Sequence, residues 1–318
     1  MIPVKPTGSG TEDNPWKIAG LDNLLWLSQT ESVWGDCFIQ TADIDAEETR
    51  YWNERDGIPQ GFSPIGFWES SDLFRVFEGR YNGNGHKIRG LYISRGDSAK
   101  VGLFGYVWKA VLEYVRVVDA VIVGGKATGI LAGDCFYSEI RGIRCTGAVT
   151  GKEDVGGLAG SASDCRFSCC RSSASVNGKK HVGGLVGSGR DSLLRGCRNG
   201  GRVIGEDSVG GLVGWNDHSR LSSCRNSGSV DGKKSVGGLA GWNDHSRISG
   251  CRNRGCVREI RTSLNATGLD DHSDLRFVPV DFDAKFLTEP AKMFSCPLNG
   301  YVIDLRHRGE LREKPGKK

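Results

Sequence analysis

What the sequence lacks excludes several classes of protein. Its 318 residues contain no run of 18 apolar residues, so we expect no transmembrane helix. The first six residues, Met-Ile-Pro-Val-Lys-Pro, have no apolar signal core, so we expect an intracellular protein or one whose signal precedes Met1. Neither sign of charge dominates, since 42 basic and 38 acidic residues leave a net charge of +4. This balance does not predict nucleic-acid binding.

The motifs of common catalytic and metal sites are also missing. The chain has no H-E-x-x-H, G-x-S-x-G or phosphate-loop pattern and no C-x-x-C pair, so we predict no cofactor and no metal. Its eleven cysteines are an odd number, and many follow a regular spacing. We interpret the regularly spaced cysteines as small apolar core residues, with disulfides between them as the alternative.

A repeat of 27 residues runs through the middle of the chain. Residues 27 apart are identical in several columns: Leu131, Leu158, Leu185, Leu212 and Leu239; Cys170, Cys197, Cys224 and Cys251; Arg144, Arg171, Arg198, Arg225 and Arg252. Such a fixed period is typical of stacked-repeat proteins that form one elongated domain. The chain has 47 glycines, and those within the repeat recur at fixed places, so we interpret them as turn residues.

Short β-branched segments separated by glycine predict strands within each repeat. We therefore expect an all-β fold, a right-handed parallel β-helix (solenoid) with about 27 residues per coil and rungs about 4.8 Å apart. Val182 and Leu185 can both face the core only if the chain turns between them, and the same holds for Leu194 and Cys197. We expect these corners at three glycines, Gly183, Gly184 and Gly196.

We predict three segments along the chain. Residues 1–125 form an N-terminal cap and irregular first coils, in which apolar spacing at 20–27 predicts a capping helix over the end of the core. Residues 126–275 form the regular 27-residue coils, and residues 276–318 form a C-terminal cap and a basic tail. In the regular coils, the column Asn199, Asn226 and Asn253 predicts side-chain amides hydrogen-bonded between stacked turns.

An element of sequence Val-Gly-Gly-Leu-Ala/Val-Gly recurs at 155–160, 182–187, 209–214 and 236–241. It resembles the GLUG motif, and segments 10–18, 38–45 and 77–88 resemble the landmarks that precede it in such proteins. The resemblance covers 8–260. It implies a bacterial, adhesin-like β-helix of surface or secreted proteins, similar to the non-catalytic N-terminal regions of immunoglobulin A-cleaving metallopeptidases. It implies an extracellular or cell-surface location, with a cytoplasmic one as the alternative because a signal peptide is missing.

The arginine column is the first candidate binding surface. Arg171, Arg198, Arg225 and Arg252 each follow an inward position, as does Arg144, so we expect all five to point outward. Such a row would suit an extended anion, such as an acidic glycan, a lipopolysaccharide phosphate or a nucleic-acid backbone. The structural alternative is that each arginine pairs with a carboxylate or caps a turn carbonyl.

The second candidate surface is the repeated sequence Trp-Asn-Asp-His-Ser. Its ligand candidates are Trp215, Asp217, His218, Trp242, Asp244 and His245, and a partial third copy lies at 271–273. The tryptophans with flanking polar groups would suit stacked sugar rings. Stacked histidines could ligate a metal, although ligands from consecutive rungs rarely converge on a tetrahedron. The structural alternative is a tight turn.

We therefore expect a non-catalytic binding protein that presents residue ladders to a glycan, another anionic polymer or a protein partner. An enzyme that cleaves polysaccharides is the first alternative, because Asp217, Asp244 and Asp271 could supply carboxylates on one outer face. However, each of these lies in a repeated turn, whereas a catalytic site usually interrupts the repeat. An intracellular protein-interaction scaffold is the second alternative.

Overall fold

The computed structural model describes residues 1–68, 74–259, 301–303 and 311–313. In the first two ranges most strands pair in parallel with the strands of the preceding and following coils, which confirms the predicted right-handed parallel β-helix. The chain divides into two units, Met1–Val280 and Asp281–Lys318. The predicted boundaries between the three segments stay predictions, and the third Asp-His-Ser copy lies outside the described residues.

Four parallel sheets account for most of the described strands. Sheet A contains Trp16–Ile18, Cys37–Gln40, Arg80–Asn82, Val111–Glu113, Glu139–Arg141, Arg166–Ser168, Leu193–Arg195, Arg220–Ser222 and Arg247–Ser249. Sheet B contains Ile44–Asp45, Lys87–Arg89, Tyr92–Ser94, Arg116–Val123, Arg144–Thr150, Arg171–Ser172, Ser175–Asn177, Arg198–Asn199, Val203–Ile204, Arg225–Asn226, Val230–Gly232, Arg252–Asn253 and Val257–Glu259. Sheet C contains Phe104–Trp108, Ala132–Phe136, Ala159–Ser163, Val186–Arg190, Val213–Asp217 and Ala240–Asp244. Sheet D contains Lys126–Gly129, Glu153–Gly156, Lys180–Gly183, Asp207–Gly210 and Lys234–Gly237.

Short antiparallel pairs and helices complete the described structure. The antiparallel pairs are Glu54–Arg55 with Ile58–Pro59, Phe67–Trp68 with Phe74–Arg75, and Tyr301–Ile303 with Leu311–Glu313. The helices are the α-helix Leu21–Gln29 and the 3-10 helices Glu31–Val33 and Glu47–Tyr51. None of these described helices is long and apolar enough to cross a membrane.

The α-helix Leu21–Gln29 is the predicted N-terminal cap. Its apolar side buries Leu24 and Leu27 completely in the same core as the first coils. The indole Nε1 of Trp34 donates a 2.7 Å hydrogen bond to the Leu27 carbonyl, which satisfies one of the acceptors at the helix end. The prediction of a capping helix is confirmed, with bounds shifted slightly toward the C-terminus.

The inward columns form one continuous core. Leu131, Leu158, Leu185 and Leu212 are fully buried, and so is Cys197. The ten described cysteines are all free thiols, and the ladder cysteines are buried, as the core interpretation predicted. The stacking of identical side chains therefore supplies packing through apolar contact, without covalent cross-links between the described coils.

We expect thiol chemistry to follow this burial. Burial raises the pKa of the Cys165 thiol to about 12, so at neutral pH this group remains protonated and unreactive. Cys169 and Cys256 are exposed. Brief treatment of the native protein with iodoacetamide, followed by peptide mass mapping, should label Cys169 and Cys256 and leave Cys165 unlabelled. Labelling of Cys165 at the rate of Cys169 would contradict the burial of Cys165, and the denatured protein serves as the control for full reactivity.

Residues with positive φ recur in register in three columns of the coil. One column contains His181 with φ of 52°, a second contains Asp191 with φ of 48°, and a third contains Gly196 with φ of 65°. The predicted corner at Gly196 is correct. The predicted corner at Gly183 and Gly184 is also correct, because the sheet D strand ends at Gly183 and the sheet C strand begins at Val186, although neither glycine has positive φ.

Gly183 and Gly184 also permit close approach of neighbouring atoms at this corner. A Cβ on Gly183 would lie 1.9 Å from the Val186 carbonyl oxygen, and one on Gly184 would lie 2.3 Å from Nδ2 of Asn199. Both distances are far shorter than any real contact of a Cβ atom. Neighbouring backbone and side-chain atoms therefore contact both positions so closely that only glycine, which has no side chain, fits there.

Candidate functional site

The ten residues predicted to bind ligand fall on different faces of the solenoid. Arg171, Arg198, Arg225 and Arg252 begin strands of sheet B. Trp215, Asp217, Trp242 and Asp244 are in sheet C, and His218 and His245 occupy the corner that follows it. The structure therefore brings each row together internally and keeps the arginine row and the tryptophan row in separate sheets.

The arginine ladder, which we define as Arg144, Arg171, Arg198, Arg225 and Arg252, is in register from coil to coil. All five side chains are exposed. Among the described residues, Arg144, Arg171, Arg198 and Arg225 have no ion pair and no side-chain hydrogen bond within bonding distance. In these four residues the arginine side chains are therefore not paired with carboxylates or carbonyls, which was the structural alternative to ligand binding.

The Trp-Asn-Asp-His-Ser row combines a turn with an aromatic surface. The imidazoles of His218 and His245 stack with centroids 4.8 Å apart and planes 9° apart. Nδ1 of His218 lies 2.6 Å from Oδ1 of Asp217, so this histidine is held by its neighbour in sequence. The indoles of Trp215 and Trp242 are 6.4 Å apart, and Trp242 is 37% exposed. The histidines thus belong to the turn, and the indoles remain available on the surface.

The serines of the same row are structural. Oγ of Ser219 donates a 2.8 Å hydrogen bond to the Asp217 carbonyl, and the Ser219 amide donates one of 2.8 Å to Oγ of Ser246. Both serines are buried. A Ser-His-Asp triad is therefore not formed here, since the hydroxyl bonds to backbone instead of facing the imidazole.

A cavity at the corner between sheets D and C contains ionisable residues that the sequence did not reveal. Its volume is about 210 Å³, and its lining consists of Lys126, Glu153, Asp154, His181, Ser188, Arg190, Trp215 and Asp217. Nδ1 of His181 is 2.8 Å from Oδ1 of Asp154, and both side chains are more than nine-tenths buried. The opposite nitrogen of the ring, Nε2, is buried without a hydrogen-bond partner among the described residues.

Cations and carboxylates are paired around this cavity. Nζ of Lys126 donates a 3.1 Å hydrogen bond to Oε1 of Glu153 and lies 3.8 Å from Oδ2 of Asp154. The hydrogen bond to Glu153 is the main cause of the raised pKa of Lys126. Burial acts to raise the pKa of Glu153, but the bond and the charge of Lys126 outweigh it and the pKa is lowered. On the other side, Nε of Arg190 is 3.2 Å from Oδ2 of Asp217.

Comparison with known proteins identifies the repeat that builds these surfaces. Residues 205–231, one coil of the solenoid, match the family model described as the GLUG motif. The chain carries the GLUG motif. Because the match covers a single coil, it describes the repeating unit and not the whole chain.

Two relatives match part of the chain. Halomucin of Haloquadratum walsbyi is 36% identical over 150 residues, which are 47% of this chain and 2% of that protein. A protein of Evansella cellulosilytica, named as a proposed Gly-rich membrane protein, is 36% identical over 134 residues, or 38% of this chain and 14% of that protein. The chain therefore spans only a small part of the length of either relative.

A solved structure shares the fold. A crystal structure from Bacteroides ovatus, named as a proposed immunoglobulin A1 protease, superposes with a TM-score of 0.61 and covers 84% of each chain. The two sequences are 18% identical. The likeness shows a shared fold, and it transfers no residue roles.

The donor types of a metal site are present in the cavity of the GLUG solenoid. Glu153, Asp154 and His181 offer ligand atoms that all lie within 4.8 Å of one another. The ammonium group of Lys126, however, already contacts both carboxylates. A divalent cation would have to displace this lysine, so the geometry favours an occupied ion-pair network over a metal centre.

The signal that could have revealed the cavity lies in one column of the GLUG repeat. Asp154 and His181 are 27 residues apart, in the left-handed column that also contains Ala127, Ser208 and Ser235. Lys100 also belongs to this column, so ionisable residues occupy three of its six described positions and interrupt the repeat, which is what a functional site usually does.

Proposed function

We propose that the chain is a non-catalytic, adhesin-like surface protein whose arginine ladder binds an extended polyanion, most suitably an acidic glycan. The observation that carries this proposal is the row of four exposed arginines in register, Arg144, Arg171, Arg198 and Arg225, with no anionic partner among the described residues. Like charges about 4.8 Å apart repel one another, and an anionic polymer lying along the row would relieve that repulsion.

The fold and the relatives support the same role. A rigid solenoid holds the guanidinium groups at a fixed spacing, so a polymer meets several of them without ordering a flexible loop. Each guanidinium presents a planar fork that suits carboxylate and sulfate oxygens. The relatives are named as Halomucin and as a Gly-rich membrane protein, and these names favour an extracellular or cell-surface location.

The arginine ladder is tested by removing two adjacent charges. We expect the double variant Arg198→Gln with Arg225→Gln to bind immobilised heparin and alginate at least about tenfold more weakly than the unaltered chain, because hydrogen bonds to charged groups contribute about 1.5–3 kcal/mol each. Binding of the unaltered chain should weaken steeply as sodium chloride is raised. Surface plasmon resonance at several salt concentrations measures both effects.

A matched control separates the ladder from net charge. The double variant Arg220→Gln with Arg247→Gln removes the same charge from exposed, register-paired arginines of sheet A and should retain full affinity. An equal loss in both double variants would show a non-specific charge effect and contradict the ladder. Equal affinity of the unaltered chain for duplex DNA would contradict the glycan assignment.

A further inference from the structure

The outer face of sheet C is aromatic at both ends and small in the middle. Two outward columns run along it in register: Tyr106, Asp134, Ser161, Ser188, Trp215 and Trp242 form the first, and Trp108, Phe136, Ser163, Arg190, Asp217 and Asp244 form the second. At one end the rings of Trp108 and Phe136 stack 5.8 Å apart. At the other end the indoles of Trp215 and Trp242 contact each other.

The serines between these ends leave a trough. Ser161, Ser163 and Ser188 are half-buried, and they separate Phe136 from the level of Trp215. Phe136 and the coil of Trp215 are three rungs apart, which corresponds to about 14 Å. We call this surface, from Phe136 to Trp215, the aromatic trough. The cavity of about 210 Å³ opens at its tryptophan end.

Two buried polar atoms along the trough lack partners among the described residues. Nε2 of His181 is one of them, and its ring meets the Trp215 indole edge-on with centroids 4.5 Å apart. Oδ1 of Asp134 is the other, on a side chain whose second oxygen pairs with Lys100. Buried polar atoms are usually satisfied, so each of these two atoms is able to hydrogen-bond to a molecule bound in the trough.

The charge pattern of the trough differs from that of the arginine ladder. Lys126 pairs with Glu153, Arg190 pairs with Asp217, and Lys100 pairs with Asp134. A polyanion would have to break these pairs before it gained any of its own. Hydroxyl groups both donate and accept hydrogen bonds, so they can bind beside a paired carboxylate and ammonium without separating them.

We propose that the aromatic trough is a second binding site, which takes a short neutral oligosaccharide. A pyranose ring packs its apolar face on the Trp215 indole, because aromatic surfaces supply contact area in sugar-sized polar pockets. One of its hydroxyls bonds to Nε2 of His181, whose orientation Asp154 fixes through Nδ1. The serine hydroxyls bond the following sugar units. The site binds and does not cleave, since its carboxylates are engaged by cations.

The column structure supplies conservative variants for the test. Trp215→Ser reproduces the residue found one coil earlier at Ser188, and His181→Ser reproduces the residue found one coil later at Ser208. Both serines already occupy the corresponding backbone conformations, so the variants are expected to fold. Tyr114→Ser is the matched control, because Tyr114 is an exposed aromatic at a different corner and Ser223 occupies that column with nearly the same φ.

The experiment titrates the full chain with cellohexaose, laminarihexaose, maltohexaose and chitohexaose, followed by isothermal calorimetry and by indole fluorescence. We expect at least one hexasaccharide to bind and to shift the fluorescence. Trp215→Ser and His181→Ser should each weaken binding about tenfold or more, because each removes a contact at the buried end of the trough. Tyr114→Ser and the double variant Arg198→Gln with Arg225→Gln should bind as the unaltered chain does, which separates this site from the arginine ladder.

Four outcomes would overturn the proposal. The first is a lack of binding by all four hexasaccharides at millimolar concentration in chains that retain the native circular dichroism spectrum. The second is unchanged affinity in both Trp215→Ser and His181→Ser. The third is cleavage of a bound hexasaccharide, which would assign the cavity to an enzyme. The fourth is tight binding of zinc alone that His181→Ser abolishes, which would assign the cavity to a metal.

Discussion

Replacement of Gly210 by alanine should destabilise the solenoid more than any substitution of an exposed residue. Gly210 is the first glycine of a Val-Gly-Gly-Leu element, and an added Cβ would lie 1.9 Å from the Val213 carbonyl oxygen and 2.7 Å from the Gly241 amide nitrogen. Both neighbours are backbone, so relief requires movement of two coils. We expect a loss of more than about 4 kcal/mol in the free energy of unfolding, in the range reserved for severe steric damage.

Urea denaturation followed by circular dichroism measures this loss, and Gly189→Ala is the control. Gly189 is buried too, but it lies in sheet C, whereas Gly210 lies in sheet D. An added Cβ at Gly189 would meet its nearest atom, Cγ1 of Val213, at 3.6 Å. That is an ordinary contact, so we expect a change within about 1 kcal/mol. Similar losses of unfolding free energy in the two variants would show that the close approach of neighbouring backbone is not the reason for glycine at position 210.

The second large effect is expected at Asn226, the central member of the asparagine column. Its Nδ2 donates hydrogen bonds of 2.9 Å to the Gly228 carbonyl and 2.9 Å to Oδ1 of Asn253. Its Oδ1 accepts bonds from Nδ2 of Asn199 at 3.0 Å and from the Gly228 amide at 3.2 Å. Asn226→Leu would leave these buried groups unpaired, so we expect a loss of more than about 3 kcal/mol in unfolding free energy.

Asn226→Ser is the informative companion variant. Ser172 holds the equivalent place two coils earlier, where its Oγ accepts a 3.3 Å hydrogen bond from the Ala174 amide. A serine therefore keeps the bond within the turn and loses the bonds between coils. Thermal unfolding should rank the stability as asparagine, then serine, then leucine. A leucine variant as stable as the serine variant would contradict the importance of the buried bonds.

The fold was predictable because identical residues recur in register. Leu185 and Leu212, or Cys197 and Cys224, can only stack on one another if each repeat is one coil, and this condition determines the period and the parallel pairing. The left-handed residues were predicted less well than the strands. Glycine marks one of them at Gly196, but His181 and Asp191 adopt the same conformation, and neither residue type by itself indicates it in a sequence.

The candidate site was predictable only as far as single columns could show it. The outward direction of the arginine ladder follows from the inward position of the preceding residue. Among the described residues Arg198 has no ion-pair partner, and this depends on which side chains of the neighbouring columns lie close to it. A single column of the sequence does not show those side chains. The pairing of Asp154 with His181 required the register between coils and the burial of a corner, and both emerge only from the assembled solenoid.

Two columns of left-handed residues show a trade between stability and chemistry. Glycine adopts a left-handed backbone without strain, whereas an ordinary L-residue there costs on the order of 1 kcal/mol. The chain nevertheless has Asp191, His218 and His245 along one corner, and Asp154 with His181 along another. A sequence optimised for resistance to heat alone would replace these residues with glycine. Their side chains are thus present at a cost in stability. These columns are therefore the places where the side chains can change to recognise a new ligand while the coils keep their structure.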